Sequence, residues 1–155
     1  MQRRIFLAGI GLVLGACASG PKYQVLPPPA PGRAWIVVYR VFTLPSAAYG
    51  TSLWLDGRQF GEVRVSQFTR VSVPAGPHKL HYNNEKSTAA NTVEFEAKAG
   101  EQYFFRYSVG VGSITPTGPG YLAINQGNLR LVAVGSAPRE LEEYSLVSPI
   151  ADVID

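Results

Sequence analysis

Thr92-Val93-Glu94-Phe95-Glu96-Ala97 alternates apolar and polar side chains at nearly every step. That period of two predicts a strand with Val93, Phe95 and Ala97 inward and Glu94 and Glu96 in water. Trp35-Ile36-Val37-Val38-Tyr39-Arg40-Val41-Phe42 is β-branched or aromatic almost throughout, which predicts a central strand buried on both faces. Ser52 to Asp56 and Gln59 to Val65 flank Asp56-Gly57, a hairpin signal because Gly57 tolerates positive φ. Gln67 to Val73 runs into the turn Pro74-Ala75-Gly76-Pro77 and emerges as Lys79 to Asn83. Asn83 to Asn91 reads as a polar loop, Gln102 to Val111 as an aromatic strand, and Ile114 to Gly127 as a long glycine- and proline-rich loop. Leu129 to Val134 and Glu140 to Val147 are expected to supply the last strands. No stretch sustains a 3.6-residue apolar period, so the expected fold is all-β: a single antiparallel β-sandwich or partly open barrel.

The first residues follow a different rhythm. Arg3 and Arg4 precede an unbroken run of apolar residues and glycine from Ile5 to Gly15. A charged start, a short apolar core and a small-residue cut site describe an export signal, and the run falls short of the ~20 residues a membrane-spanning helix needs. Leu14-Gly15-Ala16-Cys17 resembles the lipobox of bacterial lipoproteins, in which the cysteine thiol receives a diacylglycerol and the chain is cut between Ala16 and Cys17. Cys17 is the sole cysteine and stands where that pattern requires one. The resemblance implies acylation of the new amine as well, and several acyl chains anchor stably where one is marginal. Arg3-Arg4-Ile5-Phe6-Leu7 is compatible with both the general secretory and the twin-arginine route. Ala18, rather than Asp, after the cysteine implies the outer membrane by resemblance to enteric sorting.

Between Ala18 and Arg33 the chain carries Pro21, Pro27, Pro28, Pro29 and Pro31, with only Tyr23, Val25 and Leu26 to bury. Such a composition predicts a polyproline stalk that reaches up to roughly 50 Å at about 3.1 Å per residue. The expected organisation is a signal over 1–16, a lipidated cysteine and linker over 17–33, a sandwich over 34–147 and a tail over 148–155.

Composition then narrows the function classes. Removing 16 of the 155 residues leaves 139, one domain's worth. Arg3 and Arg4 leave with the signal, so the formal charge falls from +3 by two to +1, and the sequence pI near 9.1 overstates how basic the mature chain is. No Lys/Arg run remains to track a phosphate backbone, which argues against nucleic acid as a partner. With Cys17 lipidated no thiol is left for disulfides.

The order of elements carries a resemblance. Pro31-Gly32-Arg33-Ala34 leads into Ile36-Val37-Val38-Tyr39-Arg40. Leu53-Trp54-Leu55-Asp56-Gly57, Val73-Pro74-Ala75-Gly76-Pro77-His78 and Ala99-Gly100-Glu101-Gln102-Tyr103-Phe104-Phe105-Arg106 follow. Over about residues 31–147 this resembles the bacterial lipoprotein family catalogued as domain of unknown function 2846. That family pairs a lipobox with a strand ending in Tyr-Arg, a Leu-Asp-Gly hairpin, a Pro-Gly-His turn and a Gly-x-x-Tyr-Tyr strand. Here Phe104 stands where the family often has its second tyrosine. The resemblance implies fold and location, and no mechanism.

Chemistry is sparse. His78 and His81 are three apart, which on a strand sends them to opposite faces, with His78 in the turn and no acid nearby to complete a site; no metal and no cofactor is expected. Gly110-Val111-Gly112-Ser113 lacks the following helix that a phosphate cradle needs, and Ser113 has no Gly-x-Ser-x-Gly frame. Glu94 and Glu96 read as a solvated strand face, and Glu140, Glu142 and Glu143 as a terminal cluster, so no catalytic residue is assigned and no enzyme is expected. The aromatics remain. Tyr103, Phe105 and Tyr107 share one face of a strand and Phe104 and Arg106 the other; the face continuous with Val109 and Val111 is the expected core. Trp54, Tyr103, Phe105, Tyr107 and Tyr121 are the candidates for a ligand or partner surface. The expected function is therefore a membrane-anchored envelope lipoprotein with a non-catalytic β domain and an envelope protein as partner. The alternative is a glycan or peptidoglycan binding module using exposed aromatics.

Overall fold

A computed structural model describes residues 20–44, 48–83, 91–117 and 120–150, and side chains at all of these except 113–117 and 120–125. The expectations for the signal, for Ala16 and Cys17 and for most of the 83–91 loop lie outside the described residues.

The strands are β1 (Arg33–Arg40), β2 (Thr51–Leu55), β3 (Arg58–Val63), β4 (Gln67–Pro74), β5 (Gly76–Tyr82), β6 (Thr92–Ala97), β7 (Gln102–Thr117), β8 (Gly120–Val132) and β9 (Ser145–Leu146), with one helix, α1 (Ala137–Leu141), before the last. They form two sheets, β8-β7-β1-β4-β9 and β3-β2-β5-β6, packed as the expected sandwich. β1 lies at the centre of the larger sheet, as its doubly apolar pattern demands. Pairing is antiparallel except for β1 with β7 and β4 with β9, so the larger sheet is mixed rather than purely antiparallel. Among the described residues no helix is long and apolar enough to cross a membrane.

Two apolar layers hold the fold. Between the sheets lie Ile36, Val38, Leu53, Leu55, Phe60, Val71, Leu80 and Phe105. A second layer covers the outer face of the larger sheet: Val37, Tyr39, Phe68 and Phe104 meet Leu26, Ala137 and Leu141. That second layer corrects the reading of residues 18–33 as a free stalk. From Gly20 onward the segment lies along the sheet, with Lys22 bridged to Ser145, the Tyr23 amide donating to the Tyr144 carbonyl and the Leu146 amide to Pro21. The Trp35 indole donates to the Pro27 carbonyl at 3.0 Å, and Leu26 is buried. Apolar Tyr23 and Leu26 outweigh the extended preference of the prolines because the sheet face beneath them would otherwise stand in water.

Two further expectations change. Residues 114–117 and 120–127 form the paired ends of β7 and β8, in register from Val111–Asn125 to Thr117–Gly120 with a shift between Val111 and Ser113, rather than a loop. β1 pairs with β7 only as far as Tyr107, so Pro116 sits on a ribbon with a single neighbour, where its missing N–H costs no ladder bond. The stretch 140–147 divides into the end of α1 and the two-residue β9. Pro138 in the first turn starts the helix, and five residues are too few to display a helical period.

Candidate interaction surface

The five aromatic candidates separate into different environments. Phe105 is 0 % exposed and Tyr107 2 %, both within the inter-sheet core, so neither belongs to a binding platform. Phe104, on the other face of β7, is buried in the outer layer, so between Phe104 and Tyr107 neither face of that strand is a surface. The physical reason is the interior place of this half of β7, between β8 and β1 in a sheet covered there on both sides. Tyr103 is half-buried against Phe95, its ring centroid 5.6 Å away, while its hydroxyl donates to Glu101 and accepts from the Lys98 amide. Trp54 alone faces outward from the smaller sheet, stacked on His81 at 5.9 Å across the β2–β5 pair. Its indole nitrogen is buried without a hydrogen-bond partner among the described residues. Tyr121 lies in the part of β8 whose side chains are outside the description. The structure therefore brings no row of these residues together.

Sequence distance concealed a different pair. His78 is buried in β5 rather than placed in the turn, and an acid does reach it: Nδ1 lies 2.6 Å from Asp56 Oδ2 and Nε2 lies 2.9 Å from the Pro74 carbonyl. Asp56 Oδ1 accepts from the Lys79 amide at 2.8 Å. The pair borders an open groove of about 670 Å³ shared with Pro77, Glu94, Phe95 and Glu96. Both ring nitrogens face an acceptor oxygen within the fold, so neither is directed at the groove as a metal ligand. The pair is a latch between the hairpin turn and β5. Among the described residues no three His, Cys, Asp or Glu side chains cluster as metal ligands.

The surface with unfilled apolar contacts lies where β1 ends. Past Arg40 the chain continues beside β7, the Val41 amide donating to Tyr107 O and the Val109 amide to Thr43 Oγ1. Arg40 is 1 % exposed and lies over the Tyr107 ring at 5.6 Å, while Nη1 donates to the Tyr49 carbonyl and to Thr51 Oγ1. Burial holds its pKa below the usual arginine value. Arg40 thus straps the loop before β2 to the sheet end. Around it Phe42, Leu44 and Tyr49 are exposed, with Val111 on the adjoining ribbon. The base of that ribbon is fixed at Gly127, whose carbonyl accepts from the Tyr82 hydroxyl at 2.6 Å. A Cβ there would strike the Tyr82 ring and the Tyr107 hydroxyl, so the close approach requires glycine. Exposed Phe42 reads in sequence as the end of the β1 run, and Leu44 carries no signal there.

Comparison with known proteins adds little. An uncharacterised protein of Haemophilus influenzae is 27 % identical over 111 residues, covering 66 % of this chain, and the chain spans 64 % of that protein's length. No protein-family model matches the chain, and no solved structure matches it.

Proposed function

We propose that the chain is an exported lipoprotein, held through lipid on Cys17 at the periplasmic face of the outer membrane, whose sandwich is a non-catalytic module that docks an envelope protein. The observation that carries the first half is the lipobox Leu14-Gly15-Ala16-Cys17, which ends three residues before Gly20, where the described chain is already laid along the larger sheet. Export signal, anchor and folded domain then follow one another without a gap. The resemblance to the lipoprotein family named above points the same way and is not needed for the proposal.

The second half is supported by the end of β1. Phe42, Leu44, Tyr49 and Val111 are exposed apolar side chains at one end of the sandwich, beside a two-stranded ribbon that continues beyond the last β1 pair. Apolar patches rimmed by polar groups and open strand edges are what protein partners cover. The glycan alternative is the weaker of the two, because Phe105 and Tyr107 are core and Trp54 stacks on His81 rather than on a second aromatic candidate among the described side chains.

Cys17→Ser tests the anchor. Loss of radiolabelled palmitate and release from, or stalling before, the membrane fraction are expected; unchanged retention of the variant would sink the proposal. In-cell crosslinking of the tethered protein, with mass spectrometry before and after peptidoglycan digestion, tests the docking role. Recovery of muropeptides with no enriched protein would restore the glycan reading.

A further inference from the structure

The chain enters the fold along one edge of the larger sheet. Gly20 abuts the Leu146 backbone, Lys22 is bridged to Ser145, and β9 is the outermost strand on that side. From Cys17 to Gly20 there are three residue steps, a reach of at most about 10–11 Å. A headgroup layer is itself roughly 5–7 Å deep on each side of the hydrocarbon. With lipid on Cys17, the β9 edge therefore rests at the headgroups, and the docked segment excludes the 50 Å stalk that the proline content suggests.

A groove of about 300 Å³ opens at this edge between the entering segment and β4. Its floor is Leu26, Phe68 and Leu146, its rim Lys22, Val25 and Arg70. Val25 is 84 % exposed. The Lys22 ammonium donates to the Glu143 carbonyl and the Arg70 guanidinium lies over the Trp35 ring at 5.3 Å; neither forms an ion pair with a carboxylate among the described residues. Two cations with no carboxylate partner among the described residues, over an apolar floor, match a phosphodiester with its glycerol and upper acyl carbons.

We propose that this groove is the membrane-facing surface of the protein and seats a phospholipid headgroup, with the phosphate between Lys22 and Arg70 and Val25 entering the interface. The proposal rests on lipidation of Cys17 and commits to the lipid of the membrane that holds the anchor.

The test uses the lipidated protein purified from envelopes and returned to vesicles of phosphatidylethanolamine and phosphatidylglycerol that carry a headgroup nitroxide. Because Cys17 is the sole native cysteine and its thiol is taken by lipid, Val25→Cys and Leu131→Cys each give one labelling site for a fluorophore. Leu131 is exposed on β8, the other edge strand, and pairs with the core residue Phe105, so it projects from the face of the sheet opposite the groove. Quenching roughly threefold or more stronger at residue 25 than at residue 131 is expected from that opposite placement. Lys22→Glu combined with Arg70→Glu is expected to remove at least about half of it, with Lys22→Glu alone as the milder variant that leaves the Trp35 contact intact. Equal quenching at both sites, or quenching indifferent to both charge reversals, overturns the proposal while palmitate labelling shows the lipoprotein reading intact. Absence of palmitate labelling is the separate result that removes both.

Discussion

His78 and Asp56 stand 22 residues apart in the chain and 2.6 Å apart in the fold. The carboxylate accepts from the imidazole through one oxygen and from the Lys79 amide through the other, while the second ring nitrogen reaches the Pro74 carbonyl. Asp56 also occupies the hairpin turn at φ 50°, followed by Gly57 at φ 80°, so one residue supplies both the turn and the latch. Asp56→Ala strips a buried imidazole of its acceptor and is expected to cost about 1–3 kcal/mol in urea unfolding. Glu94→Gln, which breaks only the exposed ion pair with Lys79, should leave the midpoint unchanged. An Asp56→Ala midpoint equal to that of the unaltered chain would show that the latch carries no stability.

The docked N-terminal segment is checked in the same assay. Leu26 is buried against Val37, Tyr39 and Phe68, so Leu26→Ala should destabilise the domain by about 2–5 kcal/mol, as other buried leucine truncations do. A free stalk would give no change at all.

Tyr39 makes the fold sensitive to alkali. Burial, and then the hydrogen bond from its hydroxyl to Glu140 at 2.8 Å, raise its pKa well above the usual tyrosine value; burial raises Tyr23, Tyr82 and Tyr144 as well. The folded state thus favours the neutral phenol. The stabilisation is complete below the unfolded value near 10 and is lost as pH rises above it through the folded value. Unfolding free energy should fall above pH ~10 by up to about 1.4 kcal/mol per pH unit for Tyr39, and Tyr39→Phe should flatten that slope. Urea titrations at neutral and alkaline pH, with tyrosinate absorbance recorded alongside, decide it.

What was legible in the sequence depended on how local its cause was. The Asp56-Gly57 hairpin follows from two adjacent residues, and the central place of β1 from apolar positions on both of its faces. The β7–β8 ribbon was missed because glycine and proline between 114 and 127 signal a loop, whereas a ribbon flanked by only one neighbour tolerates them. The segment from Gly20 to Arg33 looks like a stalk because its prolines are visible in the sequence and the sheet face that Leu26 covers is not. The His78 latch requires a partner in the β2–β3 turn, 22 residues away, which no spacing rule supplies. Of the proposed surface, Phe42 looks in sequence like strand interior and Leu44 carries no signal; both prove exposed only once β1 is seen to end at Arg40.

Those two side chains give the sharpest separation between docking and stability. Phe42 is 62 % and Leu44 82 % exposed, so a charge at either position displaces little buried surface, and Phe42→Glu or Leu44→Glu should change unfolding free energy by less than about 0.5 kcal/mol. A partner that covers the patch must desolvate the new carboxylate, which costs several-fold to many-fold in affinity when no counter-charge is at hand. Crosslinked protein should therefore fall sharply in both variants while palmitate labelling and thermal stability stay unchanged. Arg40 supplies the internal control, since it holds Tyr49 through the main chain: Arg40→Met should loosen the loop and lower crosslinking together with stability. Crosslinks that persist undiminished in Phe42→Glu and Leu44→Glu would move the partner surface away from the end of β1.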